Sequence, residues 1–458
     1  MYIPTIHDDC DTIIAPATPS GGALCIIRLS GAKAIELCDE VFHGRKTLKD
    51  ATAATLHYGV IKDGDEVIDD VVVSLFRAPH SYTGEDIIEI SSHGSRYVVE
   101  RILSLFRRKG VRMAEAGEFT RRAFLAGRMD LSQAEAVADI IAADSRAAHS
   151  VASTQMRGAY SDELRELRDK LLQITSLLEL ELDFSEEDVE FADRGQLIGL
   201  LHTLHDKVSS LARSFSLGNA LKHGVTVAIV GRPNVGKSTL LNRFAGEERA
   251  MVSDIAGTTR DTIEVLCNID GVTYRFIDTA GLHTTSDTLE QMGIERTEQA
   301  LRKAHIILWI SEKPADDITA ELGGFTPTAE QRIYRIINKI DLNKEQTFAS
   351  LDNAYPTMPI SAKTGEGISA LIDELSKAVD ASTAFNGDVI VSNQRHYEAL
   401  VSAETALAAA LAALENGTTA DLVSEDVRQV IYHLGTITGE ITSNDILQNI
   451  FSHFCIGK

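Results

Sequence analysis

Apolar residues change their spacing along this chain, and each change marks a different kind of element. Within residues 1–125, short β-rich runs such as Ala23–Leu29, Val71–Phe76 and Asp86–Ile90 alternate with turns at Gly21-Gly22, Pro79 and Gly84. That rhythm predicts strands in a small α+β unit. One helical stretch, Ser95–Lys109, sits among them. Over 130–215 glycine and proline nearly vanish, and Leu164, Leu167, Leu171, Ile174 and Leu178 recur at the spacing of one helix face. Residues 393–452 have the same character, with a break at Asn416-Gly417. Between these blocks, the buried-strand runs Val225–Val230, Thr273–Asp278, Ile306–Ile310 and Ile333–Asn338 alternate with helical segments. Such alternation predicts a doubly wound, mostly parallel sheet. The expected architecture is multidomain α+β and α/β. It comprises an N-terminal domain over 1–125, a helical domain in two halves over 126–218 and 383–458, and an inserted doubly wound domain over 219–382.

Composition changes this picture little. Hydrophobic residues are 44% and charged residues 24% of 458, the balance of a globular protein with real cores. No apolar run approaches the roughly 20 residues that span a bilayer. Met1–Cys10 lacks the basic-then-apolar pattern of a signal peptide, so the cytoplasm is the expected compartment and no membrane is expected as a partner. The five cysteines are scattered, which argues against a disulfide framework or zinc site, and the tail Cys455-Ile456-Gly457-Lys458 departs from a prenylation signal.

Charge adds one question. The net value of −23 implies no general attraction to nucleic acid. Yet residues 96–128 hold nine Arg/Lys against Glu100, Glu115 and Glu118, while 161–195 hold twelve acids against four bases. Both read first as solvated faces; the basic stretch also reads as an RNA- or partner-facing surface.

Candidate chemistry concentrates in the inserted domain. Residues 231–238 read Gly-Arg-Pro-Asn-Val-Gly-Lys-Ser, between the strand Val225–Val230 and a helix opening at Ser238-Thr239. This is the context of a phosphate-binding loop, whose N–H groups face the β-phosphate at a helix N-terminus. Asn234, Val235, Gly236, Lys237, Ser238 and Thr239 are the expected contacts, with Lys237 bridging phosphates and Ser238 holding Mg²⁺. Further along, Asp278-Thr279-Ala280-Gly281 ends a strand near the metal and γ-phosphate. Asn338-Lys339-Ile340-Asp341 ends another, and the Asp341 carboxylate can accept both N1–H and the 2-amino group of guanine, which adenine does not offer. Ser361-Ala362-Lys363 would close over the base, and Gly257-Thr258-Thr259 supplies Thr259 as second Mg²⁺ ligand. The ordered set resembles the Ras-like GTPase superfamily.

Hydrolysis needs a positioned water. The position after Asp-Thr-Ala-Gly, often glutamine in Ras-like proteins, is Leu282, which cannot orient water. Glu290 is a candidate because a carboxylate can align water; from the residues alone it reads first as a solvated helix residue. Asn234 suggests a second device: its side-chain oxygen, with carbonyls of the loop Ser253, Asp254, Ile255, Ala256, Gly257 and Thr258, could hold K⁺ in place of an arginine finger.

Motifs elsewhere extend the comparison over nearly the whole chain. Asp11-Thr12-Ile13, Ala17-Thr18-Pro19, Ile27-Arg28-Leu29-Ser30-Gly31, Tyr82-Thr83-Gly84-Glu85-Asp86, His93-Gly94, Gly117-Glu118-Phe119-Thr120, Asp130–Glu135 and Phe454–Lys458 resemble the bacterial tRNA uridine-modification GTPases of the MnmE (TrmE) family. The resemblance implies a homodimer joined by the N-terminal domain and a flavin-containing partner, MnmG (GidA). It also implies K⁺-dependent GTP hydrolysis, with dimerising G domains, that supports modification of the wobble uridine of certain tRNAs at carbon 5. The group added is aminomethyl or carboxymethylaminomethyl, and the one-carbon donor is a reduced folate such as 5,10-methylene- or 5-formyl-tetrahydrofolate. Matched residue by residue, the folate positions are Arg28, Glu89, Arg128 and Lys458, with Arg128 standing where many members have Lys. The K⁺ positions are Asn234, Ser253, Ile255 and Thr258, and Glu290 falls on the family's catalytic glutamate. From the residues alone, Arg28 and Arg128 also read as surface ion pairs. Cys455 reads as a nucleophile toward uracil carbon 6 or as a small buried apolar residue, the second being expected. A ribosome-assembly GTPase, or a switch whose chemistry lies in a partner, are the competing functions.

Overall fold

The computed structural model describes residues 11–183, 194–246, 264–278, 298–313, 325–328, 331–342, 355–379 and 381–458. The chain forms two compact units, one of Met1–Ala138 with Gly435–Lys458 and one of Asp139–Leu434.

The first unit is built on seven strands: β1 Ile13–Pro16, β2 Leu24–Ser30, β3 Phe42–Gly44, β4 Thr55–Asp63, β5 Glu66–Phe76, β6 Ile87–His93 and β7 Arg112–Met113. Their order is β3-β4-β5-β6-β2-β1-β7, antiparallel throughout except β1 with β7. Alternation explains the layering: Ile27, Leu29, Val71, Val73, Leu75, Ile88 and Ile90 are buried, while their chain neighbours, apart from the buried Ser30 and Ile87, are more open. Helix Arg96–Arg108 contributes Val99, Ile102, Leu105 and Phe106 to this core and places Arg107 and Arg108 in its last turn, where cations suit the helix dipole. Each such side chain contributes about 1.5–3 kcal/mol by leaving water. Two helices missed by periodicity, Ala34–Asp39 and Glu118–Leu125, are too short to show it.

Four of the sequence motifs of this unit, those holding Asp11, Ser30, Glu85 and Glu118, meet in one polar network. Arg122, 4% exposed, donates to the Asp11 carboxylate at 2.5 Å, to Glu85 at 3.1 Å and to Glu118 at 3.0 Å. Arg112 donates to Asp11 and to Glu118, and Ser30 Oγ donates to Glu85 at 2.6 Å. Burial pushes the Glu118 carboxyl up, but Arg112 and the Glu115 N–H outweigh it, and the net position is below the ordinary value.

The second unit holds β8 Val225–Val230, β9 Glu264–Ile269, β10 Val272–Asp278, β11 Ile306–Ser311, β12 Arg332–Ile337 and β13 Thr357–Pro359. The order β13-β12-β11-β8-β10-β9 is parallel except for β9, as expected of a doubly wound sheet with one antiparallel edge. The continuous apolar runs follow from burial on both faces. Leu308 and Ile310 face one core, and Ile307 and Trp309 the other.

Helices from before and after this sheet come together. Helix Gln394–Glu415 packs along Arg194–His223 with Leu400, Ala403, Leu407, Ala410 and Leu414 buried, so the helical domain is discontinuous and the sheet domain is inserted in it. Helix Gln394–Glu415 is long and apolar enough to cross a bilayer by length and composition alone, but Arg395, Glu398 and Glu404 interrupt its apolar run. Its Ala/Leu content raises its hydropathy, and one stripe of it, Leu400, Ala403, Leu407, Ala410 and Leu414, is buried where the neighbouring helix packs.

Candidate functional site

The phosphate loop joins β8 to helix Lys237–Gly246. Gly231 and Gly236 have φ of 149° and 102°, where side chains are strained. A Cβ on Gly236 would lie 2.2 Å from Asn338 Nδ2, so the loop closes only around glycine. Lys237 is 4% exposed, and its ammonium donates to the Gly231 carbonyl and, at 2.8 Å, to the Arg232 carbonyl. Val235 is buried, whereas Asn234, Ser238 and Thr239 are exposed.

The base segments lie against this loop. Asn338 donates from Nδ2 to the Val235 carbonyl at 2.8 Å and accepts at Oδ1 from the Ala362 N–H at 2.9 Å. Lys339 donates to the Asn234 carbonyl at 2.7 Å and pairs with Glu312. Ser361 Oγ donates to Asp341 Oδ1 at 2.7 Å, leaving the rest of that carboxylate for a ligand, and Lys363 is exposed beside them. Loop, Asn338, Asp341 and Ser361 thus meet at the carboxyl ends of the parallel strands, where open α/β sheets bind ligands. Ser253, Asp254, Ile255, Ala256, Gly257, Thr258, Thr259, Thr279, Ala280, Gly281 and Glu290 lie outside the described residues; Asp278 ends β10.

The first unit holds a second cluster. Arg28 on β2 sits directly opposite Glu89 on β6 and bonds it through Nε at 2.9 Å and Nη2 at 2.8 Å. Its Nη1 donates to the Gly457 carbonyl at 3.3 Å. The guanidinium lies 5.3 Å from the Tyr82 ring centroid and 5.6 Å from that of Phe119, within cation–π range. Burial raises the Tyr82 hydroxyl above its ordinary pKa. Gly457, at φ 97°, packs so closely on Pro16 that a Cβ would lie 2.2 Å from its carbonyl oxygen. The tail therefore brings the Gly457 carbonyl to the Arg28–Glu89 pair, while Arg128 is exposed on the loop beside Gly84.

Several expectations change on the structure. Cys455 is exposed, because the Ala116–Ile456 bridge and the Gly457 contact bury Phe454 and Gly457 and turn the thiol outward. Much of the basic stretch is neutralised within its own unit: Arg101 and Arg108 pair with Asp63, Lys109 with Glu40, and Arg112, Arg121 and Arg122 with Glu118. Reasoning on sequence missed Glu312, which belongs to no motif. It also missed the bracketing role of Tyr82 and Phe119, although both lie in quoted motifs.

A phosphate loop with the Asn338 and Asp341 side chains beside it on a doubly wound sheet defines a Ras-like G protein. Comparison with known proteins narrows the class. The family description "GTP-binding protein TrmE N-terminus" matches residues 12–128, and "MnmE helical domain" matches 131–455. A protein of Bacteroides fragilis named tRNA modification GTPase MnmE is 48% identical over 462 residues, covering 98% of this chain and 99% of its own. Its namesake in Cytophaga hutchinsonii is 45% identical over 464 residues, covering 100% of both. An Era structure of Aquifex aeolicus bound to GDP.AlF4- is 26% identical over 40% of this chain and 66% of its own, with a TM-score of 0.26. This chain belongs to the MnmE (TrmE) family of GTPases.

Proposed function

We propose that this protein hydrolyses GTP in support of modifying carbon 5 of wobble uridine in certain tRNAs. It acts with a flavin-containing partner of the MnmG (GidA) type and takes the one-carbon unit from a reduced folate, 5,10-methylene- or 5-formyl-tetrahydrofolate. The observation that carries this reading is the Arg28–Glu89–Gly457 cluster. A GTPase switch alone has no use for a carboxylate and a guanidinium assembled from β2 and β6 against the C-terminal tail.

The residues present fit each group. At the nucleotide site, the glycine-only closure of the loop leaves its N–H groups for phosphate, and Lys237 supplies a cation. Ser238 with Thr259 would hold Mg²⁺, which neutralises phosphate charge. Asn234, Ser253, Ile255 and Thr258 would hold K⁺ at the β- and γ-phosphates, in place of an arginine finger. Glu290 would align the attacking water. In the first unit, Glu89 can grip the amide-like edge of a pterin, and Arg128 and Lys458 suit the glutamate tail of the folate. We assign the bounds 1–125 to the folate and homodimerisation domain, 126–218 and 383–458 to the helical domain, and 219–382 to the G domain, and place the protein in the cytoplasm.

Mass spectrometry of tRNA nucleosides from a strain lacking this protein tests the reading. Loss of the carbon-5 substituent at the wobble position is expected; unchanged wobble uridine would refute it.

A further inference from the structure

We propose that Glu312 is a positioning residue of the nucleotide site, acting through Lys339 on the phosphate loop. Among the described residues, four non-glycine residues have positive φ, and two of them are Asn234 at 65° and Lys339 at 67°. The Lys339 ammonium bridges this pair of strained residues, bonding the Asn234 carbonyl at 2.7 Å. Strain of this kind persists only where surrounding contacts over-determine the backbone.

The topology places a third member there. Strand β11 lies between β8, which runs into the phosphate loop, and β12, which runs into Asn338-Lys339. Glu312 is the residue that follows β11, and its Oε1 pairs with the Lys339 ammonium. The carboxylate compensates a cation held three residues before helix Lys237–Gly246 begins, at the positive end of the helix dipole. Glu312 therefore directs the ammonium onto the Asn234 carbonyl and holds residue 234 in its left-handed conformation. Asn234 is also the K⁺ ligand of the reading above, so Glu312 sets how well the loop is shaped for nucleotide and, on that reading, for the cation.

The test uses the full chain with Glu312→Gln, and Glu374→Gln as a control that removes the exposed partner of Lys377 in the same domain. Affinity for a fluorescent GDP analogue and the K⁺ concentration giving half-maximal GTPase rate are measured. Glu312→Gln is expected to weaken GDP binding and raise the K⁺ requirement, each by about two- to fivefold, the range of a half-exposed ion pair. Glu374→Gln is expected to move neither. Unchanged GDP affinity in Glu312→Gln overturns the proposal. A wild-type rate indifferent to K⁺ against Na⁺ would instead sink the cation reading, and the GDP arm would then decide on Glu312 alone.

Discussion

The side-chain amide of Asn338 spans from the Val235 carbonyl at 2.8 Å to the Ala362 N–H at 2.9 Å, joining the phosphate loop to the segment Ser361-Ala362-Lys363. Asn338 is 3% exposed, so removing its amide would leave two buried backbone groups unpaired, at about 1–3 kcal/mol each. Asn338→Ala is expected to weaken GDP binding by about tenfold or more, read by titration of a fluorescent analogue. An affinity within twofold of wild type would show that the two segments hold their positions without it.

Asp341 offers acceptors only, and Ser361 Oγ occupies one side of Oδ1. In Asp341→Asn one oxygen becomes an NH₂ donor, which opposes the 2-amino group of guanine but suits the 2-oxo group of xanthine. The variant is expected to bind GDP at least about a hundredfold more weakly and to gain affinity for the xanthine nucleotide, since a polar mismatch in a built site costs several kcal/mol. Competition between the two nucleotides measures it.

Arg28 uses a planar fork to hold Glu89 and Gly457 at once. A lysine keeps the charge but not the fork. Arg28→Lys is expected to lower affinity for 5-formyl-tetrahydrofolate by about tenfold in calorimetry, at about 1–2 kcal/mol for the lost charge-assisted bonds. It should also speed carboxypeptidase trimming of the tail. Wild-type trimming would mean that the Gly457 contact on Pro16 is enough to hold the terminus.

Asp11 and Glu118 are both held below their ordinary values of 3.8 and 4.5. In each, burial raises the pKa but the bonds from Arg112 or Arg122 outweigh it. A carboxyl depressed in the folded state contributes stability above its unfolded pKa and loses it as pH falls through the folded value. Stability of the full chain should therefore fall below about pH 4.5, and Glu118→Gln should flatten that fall. At neutral pH the same variant weakens one of the three carboxylate contacts of buried Arg122, leaving Asp11 and Glu85, and is expected to cost about 1.5–3 kcal/mol, the range of a hydrogen bond to a charged group. Thermal melts of both proteins from pH 7 to pH 3 supply the comparison.

The sequence by itself determined the class of each region and the order of the nucleotide motifs. Hydrophobic period is local, so Val225–Val230 reads as a buried strand and Leu164–Leu178 as a helix face without knowledge of partners. A phosphate loop is also local: eight consecutive residues carry its glycines, lysine and serine. The tertiary structure decided what no spacing encodes. Arg28 meets Gly457 across 429 residues, and the same tail contact turns Cys455 outward. The basic stretch finds its acids at Asp11 just before β1, at Asp63 ending β4 and at Glu118 opening helix Glu118–Leu125, and so becomes structure more than surface charge. Glu312 carries no motif because its meaning comes from strand order, with β11 emerging between the two loops that Lys339 joins. Short polar elements such as Glu118–Leu125 escaped periodicity for a related reason: the buried Glu118 and Arg122 are stabilised by each other and by Asp11, and hydropathy does not register such pairs.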